Sequence, residues 1–204
     1  METIEYKNYR IDIEQEDYPQ NPRTEWDNLG EMVCFHSRYI LEDKNEFNSA
    51  DEFYEFEKEN KSLVLPLFLY DHSGLTINTT GFSCPWDSGQ VGIIYVTFEK
   101  IRKEYNVKRV SKKLLARVTQ LLINEVKTYD DYLTGNVYGY SIDGEDYVAG
   151  FYGYNHETSG LLDNAKNDID YIIEKKSKEK IKVLKELILN KVPLQYRASK
   201  LAIE

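Results

Sequence analysis

The chain has 204 residues and a mass of 24.0 kDa, with 26 Lys and Arg against 35 Asp and Glu, so its formal charge is −9 and its pI ≈ 5.0. This length suits one domain, or one domain plus an appendage, and a 41% hydrophobic fraction excludes wholesale disorder. Two cysteines, Cys34 and Cys84, exclude a disulfide framework, no apolar run approaches a membrane span, and the polar start Met1-Glu2 predicts no secretory leader.

In chain order, Ile4, Tyr6, Ile11 and Ile13 alternate with polar residues and predict a strand over Ile4–Glu14 with a disturbed middle. Tyr18–Gly30 holds Pro19, Pro22, Asn21, Asn28 and Gly30, which is loop chemistry. Met32–Tyr39 reads as a second strand. Ser49 followed by Glu52 fits a capping box and opens a short helix, Ser49–Asn60, with Phe53, Phe56 and Tyr54 as its candidates for facing the core. Leu63–Tyr70 is nearly all apolar and reads as a strand buried on both faces, with Pro66 marking an edge or a bulge. Leu75–Thr80 and Val91–Phe98 are further strands.

The clearest helix is Ser111–Leu133, where Leu114, Leu115, Val118, Leu121, Leu122 and Val126 recur at spacings of three and four. Gly135 would end it. Asn136–Ile142 and Tyr147–Tyr154 are aromatic strands around Asp143-Gly144, a strong hairpin signal. A final helix spans about Leu161–Lys191, with an apolar stripe and a charged stretch, Lys175–Lys180, that predicts a break or a projection into solvent. This order of elements predicts an α+β protein: a single domain with a mainly antiparallel sheet, one long central amphipathic helix and a C-terminal helical tail. The boundary between the α+β domain (1–158) and the helical extension (159–204) is drawn at the start of that tail.

Charge is segregated along the chain. Residues 1–60 carry 17 acids against 6 bases, and residues 130–174 carry 10 against 1. Residues 99–129 and 175–204 each carry 9 bases against 3 acids. The blocks either neutralise one another on folding or leave an acidic face that repels DNA and attracts proteins built to hold it.

Three loops concentrate chemistry. They are Glu25-Trp26-Asp27-Asn28, Tyr70-Asp71-His72-Ser73-Gly74 and Cys84-Pro85-Trp86-Asp87-Ser88-Gly89-Gln90-Val91-Gly92. Asp and Ser cap turns and Gly supplies positive φ, so rigid joints are one reading. A metal would draw on Asp71, His72, Cys84 and Asp87 with His36, but no pair has closed-site spacing. A nucleophilic serine would need His72 or His36 as its base, and there is no G-x-S-x-G elbow. His36, in a predicted strand, reads as a hydrogen-bonded core histidine.

At these loops the chain resembles a family of small proteins carried by phages, plasmids and other mobile elements. The resemblance rests on Pro22–Gly30, Met32–His36, Leu69–Gly74 and Cys84–Gly92, and extends through Lys103–Tyr105, Asp130–Gly135 and the Gly150–Tyr154 hairpin. No catalytic residue carries over, and the tail after about residue 160 lies outside it. The resemblance implies an anti-CRISPR or antirestriction inhibitor at work in the bacterial cytoplasm. Its partner would be a host defence protein: a Cas nuclease or its guide complex, or a restriction enzyme.

A nucleic-acid mimic needs a dense acidic row, because duplex DNA carries a charge every ~1.7 Å. Glu42, Asp43, Glu46, Asp51, Glu52, Glu55, Glu57 and Glu59 can supply one, as can Asp143, Glu145, Asp146 and Asp163. The alternative site is Trp26 and Asp27 with Asp71, His72, Ser73, Cys84, Trp86 and Asp87, used for recognition or for metal-assisted hydrolysis. Two other readings concern the basic segments: nucleic-acid binding through residues 100–117 or 175–200, and a homodimer through the C-terminal helix. No cofactor and no membrane partner is implied.

Overall fold

The computed structural model describes residues 1–41, 43, 47–193 and 196. In chain order its elements are β1 (Glu2–Tyr6), β2 (Tyr9–Gln15), β3 (Glu31–Cys34), α1 (Ala50–Glu59), β4 (Ser62–Asp71), β5 (Leu75–Asn78), β6 (Ser88–Thr97), α2 (Phe98–Glu104), α3 (Lys112–Leu133), β7 (Val137–Ile142), β8 (Glu145–Tyr152) and α4 (Leu161–Lys191). The chain is α+β with antiparallel strands. Among the described residues they fall in two four-stranded sheets, β1-β2-β7-β8 and β3-β6-β4-β5, where one sheet was expected.

Two compact units result. Met1–Glu14, Gly139–Phe151 and the chain from Asn155 onward form the first; Gln15–Tyr138 and Tyr152–Tyr154 form the second. The helix α4 is therefore counted with β1 and β2, a different division from one drawn at 158/159. No helix among the described residues is long and apolar enough to cross a membrane.

In the second unit, β6 lies between β3 and β4 and is covered on both faces. Its side chains alternate across the sheet. Ile94 and Val96 join Met32, Cys34, Leu67, Leu69 and Ile77 beneath Ile101 of α2 and Val118, Leu122 and Val126 of α3. Ile93 and Tyr95 point the other way, to Val33, Phe47 and Phe53 of α1. Each such side chain contributes roughly 1.5–3 kcal/mol by leaving water. At Gly92 a Cβ would stand 2.0 Å from the Val33 carbonyl oxygen, so only glycine lets β3 and β6 approach there.

Pro66 lies where β4 has only β6 beside it, since β5 pairs with Phe68–Asp71 alone, and a bulge follows at Leu67/Phe68. The expected edge and the expected bulge are both present. Ser49 caps α1 by accepting from the Glu52 N–H (3.3 Å), but the Glu52 carboxylate reaches back to the N–H of Asn48 rather than that of Ser49. Thr97 caps α2, a helix absent from the expectations because Phe98 reads as the end of a strand.

In the first unit the expected strand Ile4–Glu14 is a hairpin. Lys7 and Asn8 both adopt left-handed φ (50° and 65°), which folds β1 back on β2. Asp143 (φ 53°) and Gly144 (φ 78°) make the same kind of turn between β7 and β8. The Asp143 N–H donates to the Arg10 carbonyl, and its carboxylate accepts from the Arg10 N–H, both at 2.8 Å. Leu161, Ala165 and Ile169 recur every four residues and bury one side of α4. Of the two alternatives for Lys175–Lys180, the break is absent and the projection into solvent is present: α4 runs unbroken to Lys191 and these residues are exposed.

Candidate functional site

The acids singled out by the sequence divide into four groups. Glu42 and Glu46 lie outside the described residues. Asp43 is no surface contact. Its side chain is 15% exposed and is gripped by Arg23 through Nε (2.8 Å) and Nη2, while it accepts from the Met32 N–H at 2.9 Å. Asp51, Glu52, Glu55 and Glu59 are exposed on α1, opposite the buried Phe53, and Glu57 is half-buried. Burying Phe53 and Phe56 turns these acids outward, because apolar and acidic residues alternate at helical spacing. Among the described residues Lys58 sits with them and donates to Glu55 at 2.5 Å.

The remaining acids belong to the first unit. Asp143, Glu145 and Asp146 are exposed at the β7–β8 hairpin, and Asp163 in the first turn of α4. The hairpin trio lines a cavity of about 470 Å³ with Tyr9, Tyr171 and Lys176. Beneath it, Tyr140 is fully buried and its hydroxyl donates to Asp168 at 2.5 Å. Burial, reinforced by that carboxylate, pushes the Tyr140 phenol far above its ordinary value.

The YDHSG and CPWDSGQVG loops converge at one end of the second unit's sheet. The Asp71 N–H donates to the Asp87 carbonyl (2.9 Å), which joins the β4–β5 turn to the start of β6. One oxygen of Asp87 meets both the His72 Nδ1 (3.3 Å) and the Cys84 thiol (3.7 Å). Asp71 accepts from Arg38 (3.1 Å) and from the Tyr39 hydroxyl (3.2 Å). Ser73 is exposed and holds a left-handed φ of 59°, as a turn residue does. Trp86 is 92% exposed.

His36 is not in a strand, since β3 ends at Cys34. Its Nδ1 accepts from the N–H groups of Arg38 and Tyr39 (3.3 Å each), and its ring stacks on Tyr39 at 5.1 Å. Among the described residues, no group of three or more His, Cys, Asp and Glu side chains is arranged to hold a metal ion.

Trp26 packs edge-on against Tyr152 (4.9 Å), and its Nε1 donates to Gln20 (3.4 Å). It lines a cavity of about 370 Å³ with the exposed Asp27 and the half-buried Glu31 and Lys100. Beside it lies a network whose importance the sequence did not signal. Arg23, with a side chain 2% exposed, bonds Asp43, Glu125 and the Gly30 carbonyl. Glu125 also accepts from the N–H groups of Leu29 (2.9 Å) and Gly30 (3.1 Å). Burial alone would lower the Arg23 pKa, but the two carboxylates more than offset it and raise it. Asp130 ties α3 to β5 by accepting from the Thr76 hydroxyl and the Ile77 N–H. Much of the Pro22–Gly30 and Asp130–Gly135 strings is thus joinery.

No protein-family model matches the chain, and comparison with curated proteins and with solved structures gives no match.

Proposed function

We propose that the protein is a phage or mobile-element inhibitor of a host defence nuclease, acting by binding in the cytoplasm of the bacterial cell. The observation that carries this reading is the outward acidic row of α1: Asp51, Glu52, Glu55 and Glu59 over two helical turns, backed by a buried aromatic face. Rows of carboxylates on a rigid element can take the place of phosphates in a cationic groove. The resemblance of the loop motifs to mobile-element proteins supports the same class of task. The hairpin acids Asp143, Glu145 and Asp146 make a second anionic surface, and Trp86 is an exposed aromatic of the kind that anchors protein contacts.

The test is inhibition of candidate Cas and restriction nucleases by the protein and by D51N/E55Q/E59Q. These positions are exposed and none is a helix cap. Inhibition should weaken steeply with salt, since the attraction is screened within about 8 Å at physiological ionic strength, and should fall in the triple variant. Full inhibition by that variant, or no effect on any nuclease, would overturn the reading.

A second reading is metal-assisted hydrolysis at Asp71, His72, Ser73, Cys84 and Asp87. It rests on the meeting of His72 and Cys84 at Asp87, which is not by itself a metal-holding group among the described residues. Metal analysis of the purified protein, with hydrolase assays of His72→Ala and Asp87→Ala, separates the two readings.

A further inference from the structure

We propose that the distal half of α4 is a docking segment for a second copy of this chain, seated on that copy's acidic hairpin groove. The two halves of α4 differ in kind. Residues 161–174 carry four acids and one lysine, whereas residues 175–191 carry seven lysines and two acids. The first half buries Leu161, Ala165 and Ile169 in its own unit. The second half leaves Val183, Leu184, Leu187 and Leu189 exposed (54, 39, 45 and 46%), with Ile181 and Ile188 half-covered. Ile181, Leu184 and Ile188 follow the three-four spacing of a helix seam; Lys178 and Lys185 stand one turn from Ile181 and flank that seam, with Lys182 farther round the helix. That is a row of large apolar groups in water, flanked by ammonium groups.

The complementary surface is in the same unit. The cavity beside the first half of α4 combines Asp143, Glu145 and Asp146 with the apolar Val148 and Ile172 and the exposed Tyr171. It already holds one ammonium. Lys176 donates to the Tyr9 hydroxyl (3.2 Å) and lies 5.2 Å from the centre of that ring. The hydrogen bond to Tyr9, with the carboxylates of Glu145 and Asp143 adding to it, raises the Lys176 pKa. The lysines and leucines beyond Lys176 cannot reach this groove in their own copy, because the unbroken helix carries them away from it at 1.5 Å per residue.

A second copy supplies what the first cannot. Two chains related by a two-fold axis, with their α4 helices antiparallel, would each lay a basic, leucine-bearing tail on the other's acidic groove, an isologous arrangement that closes. A parallel pairing would set lysines against lysines. Nucleic acid would match the lysines but leave the apolar row in water. This inference leaves aside the α1 acids that carry the nuclease reading, but it takes up the hairpin acids Asp143, Glu145 and Asp146 that the reading offers as a second anionic surface; D51N/E55Q/E59Q and E145K/D146K therefore test the two separately.

The test is sedimentation equilibrium of the full chain in low and high salt, with two charge reversals. K182E/K185E reverses the tail and E145K/D146K reverses the groove; Lys182, Glu145 and Asp146 are exposed and Lys185 is half-buried, and circular dichroism checks the fold. The unmodified chain should dimerise at low salt and dissociate as salt rises. Each variant alone should associate about tenfold more weakly or worse, because like charges then face each other. An equimolar mixture of the two variants should recover the dimer, since every contact in the mixed pair is again opposite in sign. A monomer at the highest soluble concentration, a dimer indifferent to both reversals, or folded variants that fail to restore each other would overturn the proposal.

Discussion

Arg23 and Asp43 form a two-pronged ion pair inside the second unit, and Glu125 of α3 holds the same guanidinium at 3.2 Å. The pair joins the loop before β3 to the segment after it, and Glu125 fastens both to the long helix. Removing Arg23 leaves two carboxylates near each other and largely out of water. Arg23→Ala should therefore destabilise the fold by about 3–5 kcal/mol. Urea denaturation followed by circular dichroism measures this. A loss below about 1 kcal/mol would mean that water reaches the site freely.

Gly92 lets β3 and β6 approach closely where it pairs with Cys34. A methyl group there would meet the Val33 carbonyl oxygen at 2.0 Å, a backbone atom that cannot swing aside. Gly92→Ala should cost on the order of 3 kcal/mol, the upper end of what overpacking does, or prevent soluble expression. Gly89→Ala is the control: it meets nothing within 4 Å, and its melting temperature should stay near that of the unmodified protein.

Burial pushes the Tyr129 phenol up to about 12, with Cys34 and Tyr132 adding smaller effects. Burial does the same to Tyr152, also to about 12, helped by Glu16 and Glu25. An unfolded tyrosine ionises near pH ~10. Between those values the unfolded chain has lost a proton that the folded chain keeps. Stability is thus intact below pH ~10 and falls as pH climbs towards 12. Tyr129→Phe should flatten this decline, as read from denaturant midpoints across that range. An unchanged slope would remove Tyr129 as a contributor.

Trp86 is almost wholly exposed, whereas Trp26 packs on Tyr152. Trp86→Ala should leave stability within about 0.5 kcal/mol. It should also remove the tryptophan emission that iodide quenches most readily. If the loop contacts a partner, the same variant weakens inhibition without altering the fold.

Neutralising the α1 acids should likewise spare the fold. Asp51, Glu55 and Glu59 are exposed, so D51N/E55Q/E59Q should shift the unfolding midpoint little, while Phe53→Ala on the opposite face should cost about 3–5 kcal/mol. Equal losses from the two changes would show that the acidic row is structural.

Local patterning alone announced the α+β class, the helix that became α3, the cap at Ser49, the bulge near Pro66 and the Asp143-Gly144 turn. Each of these depends on neighbours within a few residues, so its cause is present in a short string. Lys7-Asn8 was missed because neither residue is a glycine, although asparagine tolerates left-handed φ. The charge blocks were legible as totals, but not as surfaces. Asp43 and Glu59 carry the same sign, yet one lies beneath Arg23 while the other faces water. Only tertiary structure decided that, because the guanidinium that claims Asp43 is 20 residues away and the carboxylate that shares it is 102 residues from Arg23. The meeting of His72, Cys84 and Asp87, the division of the strands between two sheets and the exposed apolar row of α4 were likewise settled by which distant segments pack together.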